Sequence, residues 1–207
     1  MQTQPNNALS LTLLAFFLIL VSPPRATAAR PPGDLLRSSC AKARYPALCV
    51  QTLSTNANPT MKPLDMAQTA VKVSLAHART LSVYLKTLKL PSGLSKRDRV
   101  AMSDCVQQVS DSVVELNDTL NELQHLRLGT FQWQMSNAQT WASAALTNGN
   151  TCLDGFHAGA TANGNLKLDV KRRVTDVAML TSNALYLINR LSDSSSNSKK
   201  PRVDFKN

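Results

Sequence analysis

The sequence predicts an all-α protein: an antiparallel up-and-down four-helix bundle preceded by a short N-terminal helical hairpin closed by a disulfide. Three observations carry this. Aromatic residues make up 5% of the chain and glycine occurs seven times, while Ala, Leu, Ser and Val abound, a balance that favours helices over a sandwich or barrel. The run Met102, Val106, Val109, Val113, Leu116, Leu120 and Leu123 steps by four and three without a miss, as the apolar stripe of an amphipathic helix does. Four long patterns of this kind are joined by short breaks, the arrangement of an up-and-down bundle.

Residues 1–28 read as a signal peptide. Leu11 to Val21 is an apolar run of signal-core length, too short to span a bilayer, and Pro23 and Pro24 break it. Ala26-Thr27-Ala28 supplies the Ala-x-Ala pattern for cleavage before Ala29 or Arg30, although the segment ahead of the run lacks Lys and Arg. No second apolar run of about 18 residues follows, so no membrane span is expected after signal removal. Residues 29–191 fit one helical domain, and 192–207 read as a polar, basic, disordered tail.

Within the domain, Pro31 to about Asn58 forms two or three brief helical pieces broken by Pro46. Pro63 suits the first turn of a helix reaching about Leu90, with Met66, Ala70, Val73, Leu81, Tyr84 and Leu88 as its apolar positions. After Pro91-Ser92-Gly93, Ser95 is the expected N-cap of a helix over Lys96–Arg127, with Asp98 in its first turn. Gly129 is placed as the residue ending that helix and Thr130 as the next N-cap, giving a tight reversal. The third long helix carries Met135, Ala138, Ala142 and Ala145 on one face, flanked by Trp141 and Leu146, and reaches toward Cys152 and Phe156. The last, from about Lys167 to Leu191, carries Val170, Val174, Val177, Ala184, Ile188 and Leu191.

Four cysteines behind a signal peptide read as disulfides, and four allow three pairings. Sequential pairing, Cys40 with Cys49 and Cys105 with Cys152, is the simplest for a helical chain. No metal site is expected, because there is no Cys-x-x-Cys and His77, His125 and His157 lack ligand spacing to any cysteine. No cofactor is expected either: a Gly-x-Ser-x-Gly elbow, a Gly-rich phosphate loop and a His-Glu-x-x-His pattern are all missing. Asp104, Asp111, Glu115, Asp118 and Glu122 lie off the apolar seam, as a solvated face or a partner contact. Trp133 and Trp141 read as core or core edge, and Asn117-Asp118-Thr119 is a glycosylation sequon in mid-helix.

The formal charge of +10 becomes +9 when Arg25 leaves with the signal peptide. For a secreted chain such a charge points to acidic polysaccharide or anionic surfaces rather than nucleic acid, or serves plain solubility. Lys96, Arg97, Arg99, Lys171, Arg172 and Arg173 cluster near helix starts, where they oppose the helix dipole.

Cys40-x-x-x-x-Tyr45-Pro46-x-x-Cys49, Ser103-Asp104-Cys105, Val114-Glu115-Leu116-Asn117, the segment from Trp141 to Phe156, and Leu180 to Leu185 together resemble the plant invertase and pectin methylesterase inhibitor family. The resemblance spans the chain between signal peptide and tail. It implies a four-helix bundle behind a helical hairpin, sequential disulfides, residence in the cell wall, and no enzymatic activity. It implies binding to a carbohydrate-active enzyme and occlusion of its active-site cleft. Invertase inhibitors of the family carry a Pro-Lys-Phe loop before the final helix. The stretch from Ala162 to Leu168 has none, whereas Ala144 to Phe156 is similar to pectin methylesterase pro-regions. Pectin methylesterase is therefore the expected target, acid invertase the alternative, and a basic pectin-binding wall protein without an enzyme target the third reading. The resemblance also implies that helices after the first bundle helix supply the contact face. Positions opposite the seam name Asp104, Gln107, Gln108 and Asp111 on one helix, and Asn137, Thr140, Ser143 and Thr147 on the next.

Overall fold

Among the described residues three helices begin on proline, where a missing N–H costs nothing and the fixed φ is already helical. They are α1 (Pro32–Cys40), α2 (Pro46–Ser54) and α3 (Pro63–Thr87). The computed structural model describes residues 32–56, 61–155 and 164–196. The expected signal peptide and the tail from residue 197 lie outside these. Helices α4 (Lys96–Gln124), α5 (Phe131–Gly155) and α6 (Gly164–Ser196) complete the set, with a 3-10 turn at Leu128–Thr130. No strand occurs among the described residues.

Ser95 caps α4: its Oγ accepts from the Asp98 N–H at 3.1 Å and donates to Asp98 Oδ2 at 2.7 Å. At the start of α3 the Lys62 N–H is satisfied by Asp65 Oδ2 at 2.9 Å. The four long helices form a square in which each packs on its chain neighbours and α6 closes back on α3, with α4–α5 the most extensive pair. The hairpin of α1 and α2, joined by Cys40–Cys49 with Cα atoms 5.7 Å apart, seats Leu36, Cys49 and Leu53 on Met66, Ala70 and Ile188. Asn183, only 3% exposed, holds this hairpin from α6 by accepting from the Tyr45 N–H at 3.1 Å and donating to its carbonyl at 2.9 Å.

The seam of α4 differs from the expected one in an informative way. Met102, Val109, Leu116 and Leu123 are buried, but the second inward row is Cys105, Ser112 and Thr119, and Val106, Val113 and Leu120 flank it half-buried. The facing residues of α5 are Ala138, Ala142 and Ala145, so the two helices approach closely and only small side chains fit between them. The buried hydroxyls are satisfied: Ser112 Oγ donates to Gln108 O and meets Ala145 O at 3.2 Å, and Thr119 Oγ1 donates to Glu115 O at 2.8 Å. A second buried hydroxyl pair, Ser74 and Thr181 at 2.6 Å, sits between α3 and α6.

Four helix ends depart from expectation. Helix α3 stops at Thr87, because Leu88 turns extended (ψ 119°) and Thr87 Oγ1 bonds back to Val83 O. Helix α4 stops at Gln124 rather than Arg127; Gly129 is not left-handed, and the Thr130 hydroxyl turns to Gln134 Oε1 at 2.9 Å. The reversal is organised by Gln134 instead. Its Oε1 also accepts from the Arg127 N–H at 2.8 Å, and its Nε2 donates to His125 O at 2.8 Å and Glu122 Oε2 at 3.0 Å. Helix α6 starts earlier than Lys167 and runs past Leu191 to Ser196. Buried Leu187 and Leu191, the Arg190 guanidinium on Ser39 O, and Ser194 Oγ on Leu191 O carry those last turns into the serine-rich stretch.

Candidate partner-binding face

Helices α4 and α5 are pinned together along their whole length. Cys105–Cys152, with Cα atoms 4.4 Å apart, fixes one end, Ser112 on Ala145 the middle, and Gln134 the other end. This fixes the register of the solvent-facing groove between them, where cross-helix pairs line up. Asn148 Nδ2 donates to Glu115 Oε2 at 2.8 Å, and Asn137 Nδ2 donates to Glu122 Oε1 at 2.8 Å. Asparagine amides thus orient two carboxylates that sequence alone read as a solvated face or a partner contact.

The positions named from the sequence fall on or beside this groove. Gln108 and Asn137 are half-buried along it; Asp104, Gln107 and Asp111 rise on the outer crest of α4, where Gln107 Nε2 donates to Asp111 Oδ1 at 2.8 Å. Thr140 and Thr147 stand on the crest of α5, exposed, with hydroxyls bonded to Ser136 O and Ser143 O. Ser143 is turned toward α6: one turn earlier on its side, Gln139 Nε2 reaches Asn189 of α6 at 3.0 Å. The face therefore gathers seven of the eight named positions and leaves Ser143 at its margin.

Its electrostatics are one-sided. Asp104, Asp111, Glu115, Asp118 and Glu122 all belong to α4, and α5 has Asp154 as its only charged residue. No cation of α5 offsets them. The Glu115 carboxyl is pushed above the ordinary range, first by burial and then by Asp111 and Asp118 on either side.

Sequence reasoning missed one residue here. Trp133 is 69% exposed, standing on the same side of α5 as Asn137 one turn on, and Leu128 beside the turn is also exposed. Trp141 is half-buried, as a core-edge residue. Helical spacing carries the signal: Trp133 lies five residues before Ala138, about 140° off the alanine stripe.

The basic residues gather elsewhere. Tyr84 OH donates to Asp169 Oδ2 at 2.6 Å, so the end of α3 meets the start of α6; a Cβ on Gly155 would lie 3.5 Å from Ala101, so the end of α5 meets the start of α4. One end of the bundle therefore carries Lys96, Arg97, Arg99, Lys171, Arg172 and Arg173. Three of these are engaged locally. Arg99 donates to Ser92 O and Leu94 O, Arg172 and Arg173 bond Asp169 at 2.8 Å each, and Arg173 lies 4.2 Å over the Tyr84 ring. The hydrogen bond from Tyr84, then those from Arg173 and Arg172, hold the Asp169 carboxyl well below the usual carboxylate range, and Asp169 pushes the Tyr84 phenol up. Lys96, Arg97 and Lys171 remain exposed. Among the described residues no group of three His, Cys, Asp or Glu side chains is placed to hold a metal ion; His157 lies outside them.

Comparison with known proteins adds four findings. The family model described as plant invertase/pectin methylesterase inhibitor matches residues 34–187. Pectinesterase inhibitor 3 of Arabidopsis thaliana is 44% identical over 195 residues, covering 91% of this chain and 94% of that one. The 21 kDa protein of Daucus carota is 39% identical over 185 residues, covering 87% and 95%. A solved structure of a mutant form of a pectin methylesterase inhibitor from Arabidopsis shares the fold. It has a TM-score of 0.56 at 21% identity, over 72% of this chain and 92% of that one.

Proposed function

The chain belongs to the plant invertase/pectin methylesterase inhibitor family, and we propose that it is a secreted inhibitor, not itself an enzyme, that binds pectin methylesterase and occludes its substrate cleft. The observation that carries this is the 44% identity, over nearly the full length of both chains, to a protein named as a pectinesterase inhibitor. The site of action in this reading is the cell wall. No helix among the described residues is long and apolar enough to cross a membrane.

The α4/α5 face is the contact surface in this proposal. A stable protein–protein interface needs a pre-formed patch with an aromatic anchor and polar groups at its rim. Trp133 supplies the anchor, and Asp104, Gln107, Gln108, Asp111, Asn137, Thr140 and Thr147 the polar surround, with Ser143 at the edge. The carboxylates of α4 favour a target surface rich in cations or hydrogen-bond donors. The inhibitor and enzyme form a stoichiometric complex.

Titration of the secreted chain against a plant pectin methylesterase and, in parallel, a plant acid invertase tests the choice of target. Inhibition of the esterase is expected; inhibition of invertase alone would overturn it. A second reading, weak retention on acidic pectin, is favoured by the collection of exposed Lys96, Arg97 and Lys171 at one end of the bundle. Retention on a pectin column is expected to fall steeply as salt shortens the screening length. Retention that ignores salt removes the electrostatic role.

A further inference from the structure

We propose that Asn117 carries an N-linked glycan that stands in the groove between α3 and α4, turned away from the carboxylate face. Asn117-Asp118-Thr119 is an acceptor sequon. Asn117 is exposed, and Arg79 NH2 of α3 approaches its Oδ1 at 3.1 Å. A guanidinium has donors and no acceptor, so the oxygen of the amide faces Arg79 and Nδ2, the atom that would carry the sugar, turns outward. A glycosylated amide keeps its carbonyl oxygen and one N–H, so the Arg79 bond survives the modification.

In the transfer step Nδ2 attacks the anomeric carbon of a lipid-pyrophosphate-linked oligosaccharide. The N–C bond forms, the bond from that carbon to the pyrophosphate oxygen breaks, lipid pyrophosphate leaves, and Nδ2 gives up one proton. The folded protein is a poor acceptor for this step. Thr119 is fully buried, with its hydroxyl donated to Glu115 O at 2.8 Å, and α5 covers it. Transfer therefore precedes the docking of α5. The order of the chain allows this, because Asn117 emerges before Ala138, Ala142 and Cys152, which close the α4–α5 seam.

The glycan's position follows from helix geometry. Glu115 points to α5, and Asn117, two residues on, is rotated by about 200° from it, onto the α3 side. A bulky oligosaccharide there leaves the α4/α5 groove open. This part of the inference rests on the proposed inhibitory face, whereas the modification rests on the secretory reading alone.

The test expresses the full chain in plant cells, beside a copy led by an established secretion signal so that the site is read whether or not the native leader works. Secreted protein is digested with and without peptide N-glycosidase A, which also releases the core α1,3-fucosylated glycans that plant cells make. The peptide containing residue 117 is expected to carry glycan mass before treatment and aspartate at 117 after it. Thr119→Ser should keep the glycan. Asn117→Asp, which preserves an acceptor for Arg79, should lose the glycan yet fold with the same helical spectrum. Unmodified Asn117 as the dominant form of the secreted protein overturns the site. Equal inhibition of pectin methylesterase before and after deglycosylation is expected. Inhibition that appears only once the glycan is removed overturns its placement, without touching the inhibitor reading.

Discussion

Replacing Trp133 by alanine separates binding from folding, because the side chain packs on little of its own protein. A tryptophan offers about 150–250 Å2 for burial. With 69% of the residue exposed, roughly 140 Å2 is free for a partner, worth about 3.5 kcal/mol at ~25 cal/mol per Å2. Ordering the side chain offsets about 0.5–1.5 kcal/mol of that. The remaining 2–3 kcal/mol corresponds to a roughly 30- to 140-fold weaker inhibition constant. Folding stability should change by less than about 0.5 kcal/mol, as for other exposed sites. The assay pairs inhibition of a plant pectin methylesterase with thermal unfolding followed by circular dichroism. Val83→Ala on α3, also well exposed, is the control and should alter neither. An unchanged inhibition constant in a normally folded Trp133→Ala protein would refute the assignment of the α4/α5 face. A matched fall in melting temperature would show that Trp133 packs rather than binds.

Gln134→Leu removes a side chain that serves two donors and two acceptors at the α4–α5 reversal. It should cost about 2 kcal/mol, seen as a melting-point drop of roughly 4–8 °C; an unchanged transition would mean that water replaces Gln134 fully. Converting both Cys105 and Cys152 to alanine opens a loop of sequence separation 47, which the chain-entropy estimate values at about 4 kcal/mol. Urea unfolding should register it, and a smaller loss is expected for the Cys40–Cys49 pair at separation 9. Glu115 has a raised pKa, so its stabilising contribution is present below the ordinary value of 4.5 and lost as pH climbs through the folded value. Glu115→Gln, which keeps an acceptor for Asn148, should be more stable than the parent near neutrality, with the gap closing on acidification. Asp169 does not confuse this reading: its depressed pKa gives a contribution already complete above 3.8, lost only in stronger acid. A gap that widens as pH falls would contradict the Glu115 assignment.

How much of this was legible beforehand depended on whether the signal was local. The long helices, the Ser95 cap and the Pro63 start are written in neighbouring residues, and the structure has them. The inward row of Cys105, Ser112 and Thr119 was not legible. Serine and threonine look polar in sequence, and their fitness for burial depends on the alanines of the following helix. The same is true of Gln134: its role at the reversal exists only once Glu122, His125 and Arg127 have folded around it. On the candidate face, the outward positions of α4 followed from periodicity. The pairing of Glu115 with Asn148 and Glu122 with Asn137 required the register that the Cys105–Cys152 staple sets. Trp133 was misread for a different reason, since the default that tryptophan is core outweighed its place off the alanine stripe.

The grip of Asn183 on the Tyr45 backbone dictates an order of events. The two residues are 138 positions apart, and Arg190 reaches Ser39 across 151. Loops of that span are the slowest to close. The first segment of the domain to be synthesised is therefore the last to complete its seat: its disulfide and its packing on Met66 and Ala70 can form locally, but Asn183 and Ile188 arrive only with the final helix. A chain truncated before Asn183 would lose Ala184, Leu187 and Ile188 from this cluster and leave Leu36 and Leu53 only partly covered, by Met66 and Ala70. The final helix thus decides, at the end of synthesis, whether the beginning of the domain is fully packed.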